Sequence, residues 1–176
     1  DVIESTRTVS PESGFSPIVN RWNTWIDFFA KTSLTLSESE IIGLIGELYF
    51  MKTYMFEKYG VDKSLEAFIG VDRAHKDFEI DDTWYEVKTI HNGKNTVRIS
   101  SIEQLDSDRE GHLVVITLDQ GTLINDSFIS LNEIAKEVRS LLSGNQLVSF
   151  DEKLRKANYI YDERYDDFVY LFIKND

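Results

Sequence analysis

Two short runs on either side of an aspartate pair limit the folds open to this chain more than any other feature. Lys76-Asp77-Phe78-Glu79-Ile80 and the stretch from Thr83 to Ile90 alternate polar and apolar residues, with Asp81-Asp82 between them. The pattern predicts an antiparallel hairpin with a two-residue turn, which pairs Ile80 with Thr83, Phe78 with Tyr85 and Asp77 with Glu86. Side chains alternate along a strand, so Phe78, Ile80, Tyr85, Val87 and Thr89 share one face and Asp77, Glu86 and Lys88 the other. One face is expected to be core and the other to carry charge. Asp-Asp is a poorer tight-turn pair than Asn-Gly, and an odd residue count in the loop would move Asp77 off the face of Glu86.

Directly opposed residues of an antiparallel pair have Cβ atoms roughly 5 Å apart, and two carboxylates so placed repel unless something positive lies between them. A divalent metal would serve, and Lys88 is placed to approach whatever that metal holds. The alternative is a salt-bridged hairpin surface. The acid-x-Lys triplet carries no weight by itself, because about two copies arise by chance in a chain of this composition. A second copy stands at Asp151-Glu152-Lys153. The strand context and the matched Asp77 separate the first copy from the second.

Three further stretches accompany this one: Gly43-Leu44-Ile45-Gly46-Glu47-Leu48-Tyr49-Phe50, Glu86-Val87-Lys88-Thr89 and Ile99-Ser100-Ser101-Ile102-Glu103-Gln104-Leu105. Together with Lys76-Asp77-Phe78, the set resembles the successive motifs of a little-described prokaryotic family of the PD-(D/E)XK nuclease superfamily, associated with restriction and phage-defence gene clusters. The likeness spans about residues 20 to 175. It implies an α/β, restriction-endonuclease-like core in which a mixed β-sheet is flanked by helices. It also implies hydrolysis of DNA phosphodiester bonds, with Asp77, Glu86 and the Val87 carbonyl binding Mg2+, for which Mn2+ would substitute. Lys88 would orient the attacking water or neutralise the transition state, and Glu47 would add an acidic group to the metal centre. Members of that family are generally longer at the amino end, so the resemblance implies that the chain is a piece of a longer protein.

Glu47 and Gln104 also have readings of their own. On a helix opened by the Ser37-x-x-Glu40 capping box and closed by Gly60, Glu47 lies against Gly43, Leu44, Phe50 and Met51. A carboxylate there is costly unless paired, so it either makes a buried ion pair or serves the metal. Gly43 and Gly46 would let that helix approach another backbone. Gln104 either closes a capping box with Ser101 or reaches toward the site to steady Lys88 or a phosphate.

A chain of 176 residues, 41% hydrophobic, is long enough for one domain with a substantial core. Residues 1–16 read as a polar arm and 17–176 as a single domain. No apolar run approaches the roughly 20 residues needed to cross a bilayer, and the amino end is too polar for a signal peptide, so a cytoplasmic protein without membrane contact is expected. The absence of cysteine excludes disulfides, thiolate metal sites and cysteine nucleophiles.

The net charge of -12 argues against a free-standing nucleic-acid binder, because affinity for DNA comes largely from neutralising phosphates. A local exception runs from Val87 to Ile102, which lacks acids and carries Lys88, Lys94 and Arg98. Arg73, His75 and Lys76 precede Asp77. Lys94, Arg98 and Arg73 are candidate phosphate contacts, or ordinary exposed cations. The acids around Asp162 to Asp167 suggest that a protein partner or a homodimer mate supplies DNA affinity. They also leave open a non-catalytic assembly subunit of a defence complex that keeps the nuclease fold.

The remaining elements follow from pattern. A helix is expected from Ser16-Pro17 to about Lys31, a third strand at Thr96 to Ser100 and a helical turn at Ser101 to Asp106. A central strand is expected at His112 to Leu118, with a helix at Ser130 to Leu142 opened by the Ser130-x-x-Glu133 capping pattern and another at Ser149 to Ala157. Phe168 to Ile173 would be a final strand or lid.

Overall fold

The computed structural model describes residues 36–72, 76–121 and 128–173. The polar arm, the helix expected from Ser16-Pro17 to Lys31, and the candidate contacts Arg73 and His75 lie outside the described residues.

Helix α1, Glu38–Phe50, starts as the sequence predicts: the Ser37 hydroxyl accepts the Glu40 N–H while the Glu40 carboxylate accepts the Ser37 N–H at 2.8 Å. Its apolar residues Ile41, Ile42, Leu44, Ile45 and Leu48 are buried. A π-helical turn, Met51–Met55, carries the chain into the short helix α2, Phe56–Tyr59, and buries both methionines. Gly60 then ends the run with a φ of 80°. Helix α3, Val61–Ala67, has no counterpart in the sequence reading.

The hairpin forms in the expected register. Strand β1, Phe78–Ile80, pairs antiparallel with β2, Thr83–His91, matching Phe78 to Tyr85 and Ile80 to Thr83. Asp81 takes up the strain of the tight turn with a φ of 50°. The expected strand at Thr96 to Ser100 is absent: residues 94–99 carry no regular structure. The parallel partner of β2 is instead β3, Glu110–Gln120, registered from Thr83 against Glu110 to His91 against Leu118. A parallel partner needs a long connection, and residues 92–109 supply it. The longer, more apolar β3 takes the edge of β2 that the 96–100 segment would have needed.

Beyond β3, helix α4 (Leu131–Ser140) carries the expected capping box from Ser130 and Glu133. Helix α5 (Asn145–Lys156) begins four residues before Ser149, after Gly144 at a φ of 51°. Strand β4, Tyr170–Ile173, pairs antiparallel with β3 and completes a mixed sheet of order β1-β2-β3-β4 flanked by helices. Among the described residues no helix is long and apolar enough to cross a membrane.

Helix α1 lies against the face of β2 that carries Tyr85 and Thr89. The Phe50 ring packs on Phe78 and Tyr85 with centroids 5.5 and 5.3 Å apart. Gly46 is the closest approach, since a Cβ built there would stand 2.0 Å from Thr89 Oγ1. The expectation of close helix approach holds at Gly46. Gly43 differs, because a Cβ built there meets no atom of a described residue within 4 Å.

Gly46→Ala should therefore destabilise the fold although alanine is the better helix former. Overpacking costs about 1 to 3 kcal/mol, equivalent to a melting-temperature loss of about 2 to 4 °C per kcal/mol. Thr89→Ala in the same chain should restore part of the loss in a thermal melt.

Candidate active site

Asp77 sits one residue before β1 and is held from three sides. Its N–H donates to the Tyr85 carbonyl at 3.2 Å, and its own carbonyl accepts the N–H groups of Ile69 and Gly70 at 2.9 and 3.0 Å. Its Oδ2 accepts the Val87 N–H at 2.7 Å. Asp77 is thus anchored to the backbone between Glu86 and Lys88. Gly70 makes room for it, because a Cβ there would approach Asp77 Oδ1 to 2.8 Å. Gly70 was not singled out by the sequence, and a lone glycine ahead of an acidic residue gives no signal that would have found it.

Glu86 is 1% exposed, and neither carboxylate oxygen accepts a hydrogen bond of regular geometry from a described residue. Lys88 Nζ lies 2.6 Å from Glu86 Oε1 as its ion-pair partner. The charged face of the hairpin is therefore not a solvated one, contrary to the simple division into core and charge. Trp84 is buried on it as well. Over Trp84 lies Lys76, one of the cations that precede Asp77 in the sequence. Lys76 is itself buried; its ammonium lies 4.3 Å from the Trp84 ring centroid and donates to the carbonyls of Glu103 and Asp106 at 2.5 and 3.1 Å. The Trp84 indole N–H donates to the Arg109 carbonyl at 3.2 Å. The 103–109 segment is thereby drawn over the strand.

Glu47 reaches the same centre from α1. Burial, then the charges of Asp77 and Glu86, hold its carboxyl well above the usual carboxylate range, while Lys88 pulls the other way. The charges acting on Glu47 are those of the hairpin and not a separate ion-pair partner. Burial, followed by the charge of Glu86, also raises Asp77 to about 6, against the opposing Val87 N–H and Lys88.

Of the other expected residues, Lys94 and Arg98 are exposed in the irregular segment after β2. Gln104 ends a 3-10 turn, Ile102–Gln104, and its Oε1 accepts the Ser100 N–H at 2.9 Å. The capping box with Ser101 does not form, since the Ser101 side chain makes no cap bond to so short a turn. The second triplet is structural: Asp151 pairs with Arg139 at 2.8 Å and Lys153 donates to the Phe68 carbonyl.

Among the described residues no three His, Asp or Glu side chains converge closely enough to enclose an ion as they stand. The donor chemistry nonetheless fits a hard divalent cation. Asp77, Glu86 and Glu47 surround one lysine and offer only oxygen atoms, and Glu86 Oε2 is buried with no partner among the described residues while Lys88 stands 2.6 Å from Oε1.

A family model described as a putative PD-(D/E)XK family member (DUF4420) matches residues 1–175. The chain belongs to this family. No curated protein and no solved structure matches it. Asp77 stands just before β1, and Glu86-Val87-Lys88 lies on β2, the strand that pairs with β1.

The raised carboxyls fix the sign of a pH dependence. An unfolded aspartate titrates near 3.8, so a folded Asp77 near 6 contributes stability that is complete below about pH 4 and lost as pH rises through 6. Asp77 should cost the metal-free fold on the order of 2 to 3 kcal/mol at pH 8 relative to pH 4. In thermal melts without metal, Asp77→Asn should gain on the wild type as pH increases from 5 to 8; parallel curves would remove the shared acidic site.

Proposed function

We propose that the chain is a divalent-metal-dependent nuclease that hydrolyses phosphodiester bonds in DNA. The observation carrying this reading is the buried group of three acids, Glu86, Asp77 and Glu47, around the single cation Lys88, which pairs with Glu86 at 2.6 Å. One ammonium balances one carboxylate, so the remaining acids are costly to bury charged unless a further cation meets them. Asp77 and Glu86 are assigned as the metal ligands, with the Val87 carbonyl beside them and Glu47 as a further acid. Magnesium is the natural occupant and manganese its substitute, because all the donors are hard oxygens. When bound, the metal supplies positive charge at the scissile phosphate and lowers the pKa of water.

The protein's own part is positioning. Lys88 leaves Glu86 to orient the attacking water or to neutralise charge developing on the phosphate. Asp77, tied to the Val87 N–H, keeps its free oxygen at a fixed distance from Glu86. Gln104, whose Oε1 holds the Ser100 N–H, fixes the turn beside this face and is assigned a supporting role. Lys94 and Arg98 extend from the same connection as exposed cations suited to the phosphate backbone, with Arg73 assigned alongside them.

The net charge of -12 supports a partner chain or homodimer mate as the source of most DNA affinity. The resemblance to families of restriction and phage-defence clusters supports that biological setting. The same charge favours a second reading, a non-catalytic subunit whose acidic surface docks a basic partner.

Cleavage assays separate the two readings. With magnesium or manganese, Glu86→Ala and Lys88→Ala should each lower the rate at least about a hundredfold, since each removes a group acting at the transition state. Asp151→Ala, in the structural triplet, should leave the specific activity unchanged. Wild-type rates in both the Glu86 and Lys88 variants would eliminate the nuclease reading.

A further inference from the structure

The parallel register of β2 and β3 sets Trp84 beside Gly111, Glu86 beside Leu113 and Lys88 beside Val115. Paired residues of neighbouring strands point to the same side of the sheet, about 4.8 Å apart. Gly111 shows which side this is, because a Cβ built there would collide with the Trp84 ring. Leu113 and Val115 therefore project from the face that carries Glu86 and Lys88. Ile116 and Leu118, which alternate onto the other face, are buried.

Leu113 is 42% exposed and Val115 40%. Two aliphatic side chains thus meet solvent one strand spacing from the buried Glu86 and its partner Lys88. The segment that leaves β2 brings the exposed cations Lys94 and Arg98 and no acid before Glu103. An exposed apolar strip marks a contact surface, and this one is continuous with the acid-x-Lys pair. Apolar atoms for a sugar and cations for phosphates are thereby offered by adjoining parts of the chain.

We propose that Leu113 and Val115 form an apolar floor for a sugar beside the scissile phosphate, and that this floor selects deoxyribose over ribose. The proposal rests on the nuclease reading above, in which Lys88 meets that phosphate or its attacking water. A sugar is bonded to the phosphate on either side, and Val115 is the direct neighbour of Lys88 on β3. Deoxyribose lays carbon and hydrogen on such a floor and leaves no polar group unpaired. A 2′-hydroxyl pressed onto Leu113 and Val115 loses water and finds no donor or acceptor in either side chain. The 2′-hydroxyl is the group by which a protein tells RNA from DNA. An apolar pocket rejects an added hydroxyl by about a hundredfold at most, so a half-open floor should give a preference of about tenfold.

The test compares the dissociation constants of octa-deoxyuridylate and octa-uridylate, which differ only at the 2′ position, on the whole chain with calcium present. The wild type should bind the deoxy octamer about tenfold more tightly. Val115→Thr puts a hydroxyl on the floor with little change of volume and keeps a β-branched residue in the strand. It should lower the preference at least about threefold, and Leu113→Thr together with Val115→Thr should bring it to within about twofold. The ratio of the two affinities is a readout that a merely structural role would not move. The manganese-induced rise in melting temperature should be the same in both variants as in the wild type.

Equal affinities of the wild type for the two octamers overturn the floor, as does a preference that survives both threonine substitutions. Should the double variant not fold, a preference unchanged in Val115→Thr alone overturns it equally. A wild type that binds neither octamer while manganese still raises its melting temperature also overturns it and leaves the metal centre standing. So does sedimentation in which the threonine variants dissociate a wild-type dimer at an unchanged octamer preference, which makes the strip a protein interface. A wild type that neither responds to manganese nor cuts DNA overturns the nuclease reading, and the floor with it.

Discussion

The hydrogen bond from the Val87 N–H to Asp77 Oδ2, 2.7 Å long, holds the acidic centre together. It places one carboxylate on the backbone between Glu86 and Lys88, so the position of Asp77 relative to those two residues is set by strand geometry. The bond exists only in one register of the hairpin, the one that sets Phe78 against Tyr85. A slip of one residue would turn Glu86 and Lys88 into the α1 interface and bring Val87 out. That interface is already full, with Gly46 against Thr89 and Phe50 against Tyr85. Core packing and site geometry therefore enforce the same register, and neither can change alone.

The centre so built is electrostatically unfinished. Asp77, Glu86 and Glu47 share one lysine in a buried setting; burial and then the charge of Glu86 push Asp77 upward, and burial and then Asp77 and Glu86 push Glu47 upward. Such a group either keeps its proton or waits for a cation. This is a local conflict that the rest of the fold must outweigh, as functional sites commonly require. Other acids among the described residues have cations of their own: Asp162 is lowered to about 2 by Arg164, and Arg139 is paired with Asp151. Against these pairs, the hairpin centre holds three acids around one lysine.

Much of this was legible in the sequence because it depended on local periodicity. The turn at Asp81-Asp82, the capping boxes at Ser37 and Ser130 and the stop at Gly60 are each set by neighbouring residues, and each stands in the structure. What failed depended on distant partners. Thr96 to Ser100 alternates like a strand but lost its place beside β2 to β3, a competition invisible in a five-residue window. Lys76 reads as a rim cation, and its burial follows from Trp84 and from carbonyls about thirty residues later. The identity of Glu47 as part of the centre was an open choice between an ion pair and the site, because the sequence cannot say which charges will surround a helix. Gly43 and Gly46 look alike in sequence, and among the described residues only Gly46 has a neighbour that a Cβ would strike.

The central claim is that Asp77 and Glu86 jointly await a divalent cation. Crystals soaked in manganese test it most directly through anomalous difference density. The account predicts a peak about 2.0 to 2.3 Å from a carboxylate oxygen of each residue, with Lys88 displaced from Glu86. A map without such a peak, with Lys88 still paired to Glu86 and Asp77 still committed to Val87, would contradict it.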